Sequence, residues 1–311
     1  MTASVLTIAR GRDTHLANVV RGLSRQTELP TEFVIVRMQA EPYDLPEAPF
    51  PVRQIALIRD SLPLAEARNL AVAEAVGDEL LFLDVDCIPD PDFVADYRRH
   101  LAVFDGLVMG EVMYLPDGVN REGWDYPDFE AVAERHSDRQ GPPPEGLRDC
   151  NDYRCFWSLN FAMHRADFER VGGFDTRFHG YGGEDTDFGR VLDDAGVKIG
   201  WAKGARVYHQ YHPHHMPPVH HLESVVRNAE LFREKWGHRT MGHWLHAFAL
   251  MGLIAQDEDE IRILRAPSEA DLELTRHQSH RPYCNSAEVI REIERRRATV
   301  PAVSAAPVAA E

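Results

Sequence analysis

Four large apolar residues in a row, Leu80-Leu81-Phe82-Leu83, run straight into Asp84-Val85-Asp86. A short apolar run of this kind fits a strand covered on both faces. Such strands build parallel sheets between helices, and those sheets bind ligands beyond the carboxyl ends of their strands. The run thus predicts a fold class and an address, with Asp84 and Asp86 at a strand end. The preceding residues agree. Residues 5–9, 33–36 and 53–58 are short β-rich runs, while 14–23 and 63–76 read as helices, the second rich in Ala and Leu and broken by Gly77-Asp78. This β-α-β-β-α-β order predicts an α/β fold with a mostly parallel sheet and flanking helices.

Further along, 93–101 reads as a helix and 107–114 as one strand. Residues 116–149 are polar and rich in Pro and Gly, so a long irregular connection is expected there. Residues 156–164 read as a strand and 166–171 as a short helix ended by Gly172-Gly173. A helix over 185–195 is closed by Gly196. Residues 198–201 and 205–208 read as strands, and 222–236 as a helix. Residues 262–276 and 287–297 read as further helices. The Ala, Val and Pro of 298–311 lack periodicity and are expected to be disordered.

Fifty acidic residues against 34 basic ones give a net charge of −16. This argues against nonspecific nucleic-acid binding, which needs clustered Lys and Arg, and suits recruitment of divalent cations. Cys87, Cys150, Cys155 and Cys284 are too few and too scattered for a disulfide framework or a Cys-rich zinc site. A reducing, cytoplasmic location is expected, with no targeting segment at the N-terminus. The longest apolar stretch, 243–255, falls short of the roughly 20 residues that a spanning helix needs.

Three features carry chemistry. Asp84 and Asp86 are carboxylates at i and i+2 after an apolar strand. In a poorly solvated cleft they repel, and each prefers a nearby cation such as Mg²⁺ or Mn²⁺, which also takes substrate phosphates. Alone, the pair equally fits solvated acids capping a turn. The second feature is Gly180-Tyr181-Gly182-Gly183 followed by Glu184, Asp185 and Asp187. A helix dipole accounts for acids in a first turn, but not for the glycines before them, which permit close approach of a ligand. The third is histidine: nine of the 16 lie between His209 and His246. Most are expected to form a solvated loop. His209 differs because it directly follows a strand-like run that can fix it, and imidazole is a common metal ligand.

Together these segments resemble the GT-A fold glycosyltransferases. More narrowly, they resemble family 2-type bacterial enzymes and the metal-dependent β-1,4-galactosyltransferase and polypeptide GalNAc-transferase groups. Asp84-Val85-Asp86, Gly172-Gly173-Phe174-Asp175, Gly182-Gly183-Glu184-Asp185 and the late His carry the resemblance. Arg10-Gly11-Arg12-Asp13 resembles an arginine segment of the galactosyltransferases, and Glu66-Ala67-Arg68-Asn69 an Ala-Arg-Asn segment before the Asp-x-Asp strand. The resemblance covers 1–235. It implies a Rossmann-like catalytic domain over those residues, with a nucleotide-binding half at about 1–115 and an acceptor and metal half at about 116–235. A helical extension over 236–297 would follow.

The implied activity is metal-dependent, inverting transfer of a sugar from a nucleotide-diphosphate donor, UDP-linked, to an acceptor hydroxyl. By the same resemblance Asp86 and His209 would ligate Mn²⁺ or Mg²⁺, and Asp84 would bind the ribose, or the metal through water. Asp185 would be the general base and Glu184 would orient the acceptor. Arg10, Arg12, Arg68 and Asn69 would line the nucleotide pocket, with Trp157, Tyr181 and Gly183 against the donor sugar. The chain departs from the pattern in three places. Val34-Ile35-Val36-Arg37-Met38-Gln39 lacks the usual uracil-gripping Asp, with Asp44 the nearest substitute; Tyr181 replaces a Trp; and Arg206 stands where a Met ligand would be. A sugar-nucleotide-binding pseudoenzyme, a nucleotidyltransferase and a His-rich metal-binding protein are the competing readings. The segment after Leu222 is open to three uses: active-site cover, homodimer contact or peripheral membrane contact.

Overall fold

A computed structural model describes residues 1–299. Its first half alternates β1 (Ala3–Ala9), α1 (Asp13–Leu23), β2 (Glu32–Arg37), β3 (Val52–Ala56), α2 (Leu64–Glu74) and β4 (Glu79–Leu83). Then come β5 (Cys87–Pro89), α3 (Phe93–Leu101), β6 (Gly106–Met109) and β7 (Val112–Tyr114). The long connection carries α4 (Tyr126–Glu130) and β8 (Leu147–Asp149), and leads to β9 (Asn160–His164) and α5 (Arg165–Val171). After α6 (Glu184–Asp194), β10 (Lys198–Ala202) and β11 (Val207–His209), the chain forms α7 (Leu222–Trp236) and α8 (Gly242–Leu250). A hairpin of β12 (Ile254–Gln256) and β13 (Ile261–Ile263), then α9 (Glu269–Thr275) and α10 (Ser286–Thr299), complete it.

Eight strands form the main sheet in the order β3-β2-β1-β4-β9-β6-β10-β8. β3, β2, β1 and β4 are mutually parallel, as are β6 and β10. β9 runs antiparallel between β4 and β6, and β8 is antiparallel at the edge. All five residues of β4 are buried. Its side chains alternate between two cores: Leu80 and Phe82 join Ala65, Ala67 and Ala71 of α2, while Leu81 and Leu83 join Leu16 of α1 and Phe93 of α3. Burial on both faces is why this strand is continuously apolar.

Five expectations are corrected. The strand over 156–164 is shorter: residues 156–159 are irregular, and only Asn160–His164 forms β9. The single strand over 107–114 breaks at Gly110, where a Cβ would lie 2.3 Å from the Ala205 carbonyl oxygen and 2.5 Å from Asn160 Nδ2. β6 stays in the main sheet, and β7 enters a second sheet ordered β5-β11-β7. The helix over 262–276 is divided: β13 pairs with β12, and Ser268 starts α9 in a reciprocal capping box with Asp271, just after Pro267. The apolar stretch 243–255 is divided at Gly252 into α8 and β12, so the extension is not wholly helical. The connection 116–149 carries a short helix and an edge strand. α10 ends at Thr299, and the rest of the expected tail lies outside the described residues. No helix among the described residues is long and apolar enough to cross a membrane.

Candidate active site

The site forms where β4 ends and the chain turns into the small sheet. The Asp84 carbonyl accepts from Cys87 N at 3.0 Å, closing the turn that carries Asp86, and the Asp86 carbonyl accepts from Gln210 N at 2.7 Å. In the small sheet Cys87, His209 and Tyr114 lie side by side in register. This register brings Asp86 to the histidines. His209 Nε2 is 3.4 Å from Asp86 Oδ1, and His212 Nε2 is 3.4 Å from Asp86 Oδ2.

One carboxylate and two imidazoles therefore offer donor atoms within 4.8 Å of one another. Two donors each about 2.1 Å from one ion stand about 3–3.5 Å apart, so the spacing fits a single divalent cation. Protonation fits as well. Burial lowers the His209 pKa to about 4 despite Asp86, so its imidazole is neutral at physiological pH. Burial alone would raise Asp86, but His209, His212 and Arg12 outweigh it and hold this carboxyl well below its usual range. His209 Nδ1 is buried without a partner. Among the described residues no further His, Cys, Asp or Glu completes a second such group.

His212 was not singled out by the sequence. It sits in an irregular His-Pro-rich segment whose shape comes from Gln210, which is fully buried. Gln210 Oε1 accepts from Asn18 Nδ2 at 2.9 Å and from Asn120 Nδ2 at 2.7 Å, and its Nε2 donates to the His15 carbonyl at 3.0 Å. Trp124 Nε1 donates to Asn18 Oδ1 at 3.0 Å. The network ties α1, the long connection and the histidine segment together with every polar atom of the Gln210 side chain engaged.

Glu184 and Asp185, at the start of α6, belong to the same electrostatic neighbourhood. Gly182 and Gly183 have φ of +94° and +90°, and a Cβ on Gly182 would lie 2.8 Å from Met241 Sδ. Asn228 Nδ2 holds this turn by donating to the Gly182 carbonyl at 2.8 Å. Arg68 pairs with Glu184 at 3.1 Å, both side chains under 10% exposed. Burial, then Glu184, pushes the Asp185 pKa up to about 6, against Arg68 and the Thr186 N–H. Burial, then Asp86, pushes Asp84 up to about 7, with Arg68 opposing and Glu184 adding to the rise. Asp84 thus feels both the Asp86 and the Glu184 sides.

The other sequence-derived residues take varied positions. Arg12 caps α1 with φ +63° and acts on Asp86, while Arg10 is exposed. Asn69 is committed to the Phe174 peptide, donating to its carbonyl at 2.8 Å and accepting its N–H at 2.9 Å. Asp187 is bonded to Lys235 at 2.8 Å and Trp236 Nε1 at 2.7 Å, tying α6 to the end of α7. Tyr181 is 38% exposed and stacks on His221 and Trp244, with ring centroids 4.8 and 5.8 Å away. Trp157 meets His136 edge-on at 5.3 Å.

Comparison with known proteins agrees with this architecture. The model of the family described as glycosyl transferase family 2 matches residues 4–172, and one described as the N-terminal domain of galactosyltransferase matches 148–215. Validoxylamine A glucosyltransferase of Streptomyces hygroscopicus subsp. limoneus is 25% identical over 270 residues, covering 75% of this chain and 56% of the relative. Chondroitin synthase of Escherichia coli is 28% identical over 176 residues, covering 48% of this chain and 25% of the relative. The chain thus spans about half the length, or less, of these relatives. Among solved structures, S. aureus TarS 1–349 in complex with UDP-GlcNAc superposes with a TM-score of 0.53 at 13% identity, covering 91% of this chain and 72% of that one. GalNAc-T7 with UDP, GalNAc and Mn²⁺ gives a TM-score of 0.53 at 15% identity, covering 94% and 56%.

Proposed function

This chain belongs to glycosyl transferase family 2, and from that premise we propose that it transfers a sugar from a UDP-linked donor to an acceptor hydroxyl, with inversion and with a divalent metal. The observation that carries the reading is the meeting of Asp86, His209 and His212 beyond the end of β4. Structures of like fold were solved with UDP-GlcNAc and with UDP and Mn²⁺, which supports the donor class and the ion. On this reading the catalytic unit is 1–235.

Asp86, His209 and His212 would hold Mn²⁺ or Mg²⁺, whose Lewis acidity offsets the charge that develops on the departing diphosphate. The remaining work falls to the protein. The acceptor hydroxyl oxygen attacks the anomeric carbon, and its proton goes to the Asp185 carboxylate. The glycosidic oxygen leaves on the opposite face with the bonding pair, so the anomeric configuration inverts. A base poised near the working pH contributes roughly 10²–10⁴-fold, and a pKa of about 6 suits Asp185 to this. Arg68 fixes the Glu184 carboxylate, which then receives an acceptor hydroxyl. Asp84 binds the ribose, or the metal through water. Arg10 and Arg12 line the nucleotide pocket, and Trp157, Tyr181 and Gly183 border the sugar and exclude water. Asn69 serves by shaping the turn at Phe174.

Calorimetry with UDP and Mn²⁺, run beside a sugar-transfer assay, tests this directly. Asp86→Ala is expected to abolish metal-dependent turnover and Mn²⁺-dependent UDP binding. Asp185→Asn is expected to bind UDP as the parent does and to lose transfer by about 10²-fold or more. Undiminished transfer by Asp185→Asn removes the base assignment, and pyrophosphate as the product replaces the reading with nucleotidyl transfer.

A further inference from the structure

Arg139, on the connection between β7 and β8, has no part in this mechanism. All three of its guanidinium nitrogens are buried; the Tyr114 hydroxyl is the neutral group nearest to hydrogen-bonding them, and no carboxylate among the described residues forms an ion pair with them. Its charge lies over two indoles, 5.2 Å from the Trp201 ring centroid and 5.7 Å from that of Trp157. Groups that feel it include the Tyr114 and Tyr97 hydroxyls, the Cys87 thiol and the His136 imidazole. The buried Nε1 of Trp201 also lacks an acceptor. Donors are thus in surplus in this corner of the molecule.

A guanidinium cannot escape burial by losing its proton. Stacking on indoles offsets only part of its lost hydration, and a buried cation normally has an anion beside it. The position indicates which anion. Tyr114 is paired in register with His209, their rings 4.8 Å apart. Cys87, on the other side of His209, directly follows Asp86. The residues after Trp157 lead to Leu159, whose carbonyl accepts from Asp84 N at 3.0 Å. The unpaired charge therefore stands at the border of the Asp86–His209–His212 cluster, reached from the β7 side, whereas Arg12 reaches it from the β1 side.

We propose that Arg139 is the receptor for an oxyanion of the donor, either its diphosphate or the carboxylate of an acidic sugar. The inference rests on the transferase reading of the site. Guanidinium geometry suits both groups, since each presents two oxygens to its parallel N–H bonds.

Arg139→Met, with Arg139→Lys beside it, tests the proposal in the full chain. Met keeps most of the side-chain volume and removes the charge. Ligand-free Arg139→Met is expected to melt at or above the parent temperature, because it loses an unpaired buried cation. In calorimetry with Mn²⁺ present, UDP, UDP-glucose and UDP-glucuronate are titrated in turn. At least a 10-fold loss of UDP affinity in Arg139→Met, partly restored in Arg139→Lys, assigns the diphosphate. Unchanged UDP and UDP-glucose binding with a 10-fold loss confined to UDP-glucuronate assigns the carboxylate. All three ligands binding Arg139→Met as they bind the parent overturns the proposal, and a lower melting temperature alongside would mark Arg139 as a structural clamp. Failure of UDP to bind the parent protein sinks the transferase reading itself, which keeps the two failures apart.

Discussion

Only Val85 separates Asp84 from Asp86, yet their protonation is driven in opposite directions. Burial and the neighbouring Asp86 raise Asp84 to about 7, while His209, His212 and Arg12 hold Asp86 down against burial. The raised group has a defined effect on stability. A folded-state pKa above the unfolded value of about 3.9 contributes stability that is present below that value and lost as pH rises through the folded pKa. The metal-free protein is therefore expected to lose stability from this source between about pH 4 and pH 7, and Asp84→Asn to flatten that fall in a series of thermal melts. Asp185 gives a kinetic counterpart. Its base form is depleted below its pKa of about 6, so transfer should decline tenfold per pH unit on the acid side. A rate that is level down to pH 4.5 would exclude this carboxylate as the proton acceptor. Asp86, His209 and Asp185 were legible because each adjoins a regular element or a glycine run. His212 was not, because its surroundings come from irregular segments meeting residues far away in the sequence, and nothing local marks it.

Among the elements, the histidine segment has the most to teach, since it has no regular structure of its own. Gln210 replaces regular structure by binding α1, the long connection and the Asp86 carbonyl at once. Partners of this kind that orient metal ligands typically change affinity by about 10–100-fold when removed. Gln210→Ala is expected to weaken Mn²⁺ binding within that range, read by electron paramagnetic resonance of the free ion. Unaltered Mn²⁺ affinity would reduce Gln210 to a packing residue. The same comparison explains which elements could be read from the chain. β4 was plain because both its faces are buried and its apolar run is unbroken. The division of β6 from β7 was hidden because its cause is the Ala205 carbonyl pressed against Gly110. The β12–β13 hairpin was hidden because a three-residue strand beside a helix-like composition leaves no period to detect.

For the molecule as a whole, charge and architecture act together. A net charge of −16 concentrates cations near the surface, and added salt screens that field. Apparent Mn²⁺ affinity is therefore expected to fall severalfold between about 50 mM and about 500 mM NaCl, the Debye length shrinking from about 14 Å to about 4 Å. An affinity independent of salt would show that only the local ligands matter. The C-terminal elements are part of the site's frame as well: Asn228 of α7 holds the Gly182 carbonyl, and Met241 and Trp244 close on Gly182. The three-stranded sheet under the histidines draws on 87–89, 112–114 and 207–209, which are remote in the sequence. Its strands emerge from the ribosome in that order, with the histidine strand last. A nascent chain holds its paired acids long before the Asp86–His209–His212 cluster can form, and Asp185 too arrives late. On the proposed reading, the chain gains its ion site only once the central strand of that little sheet is in place.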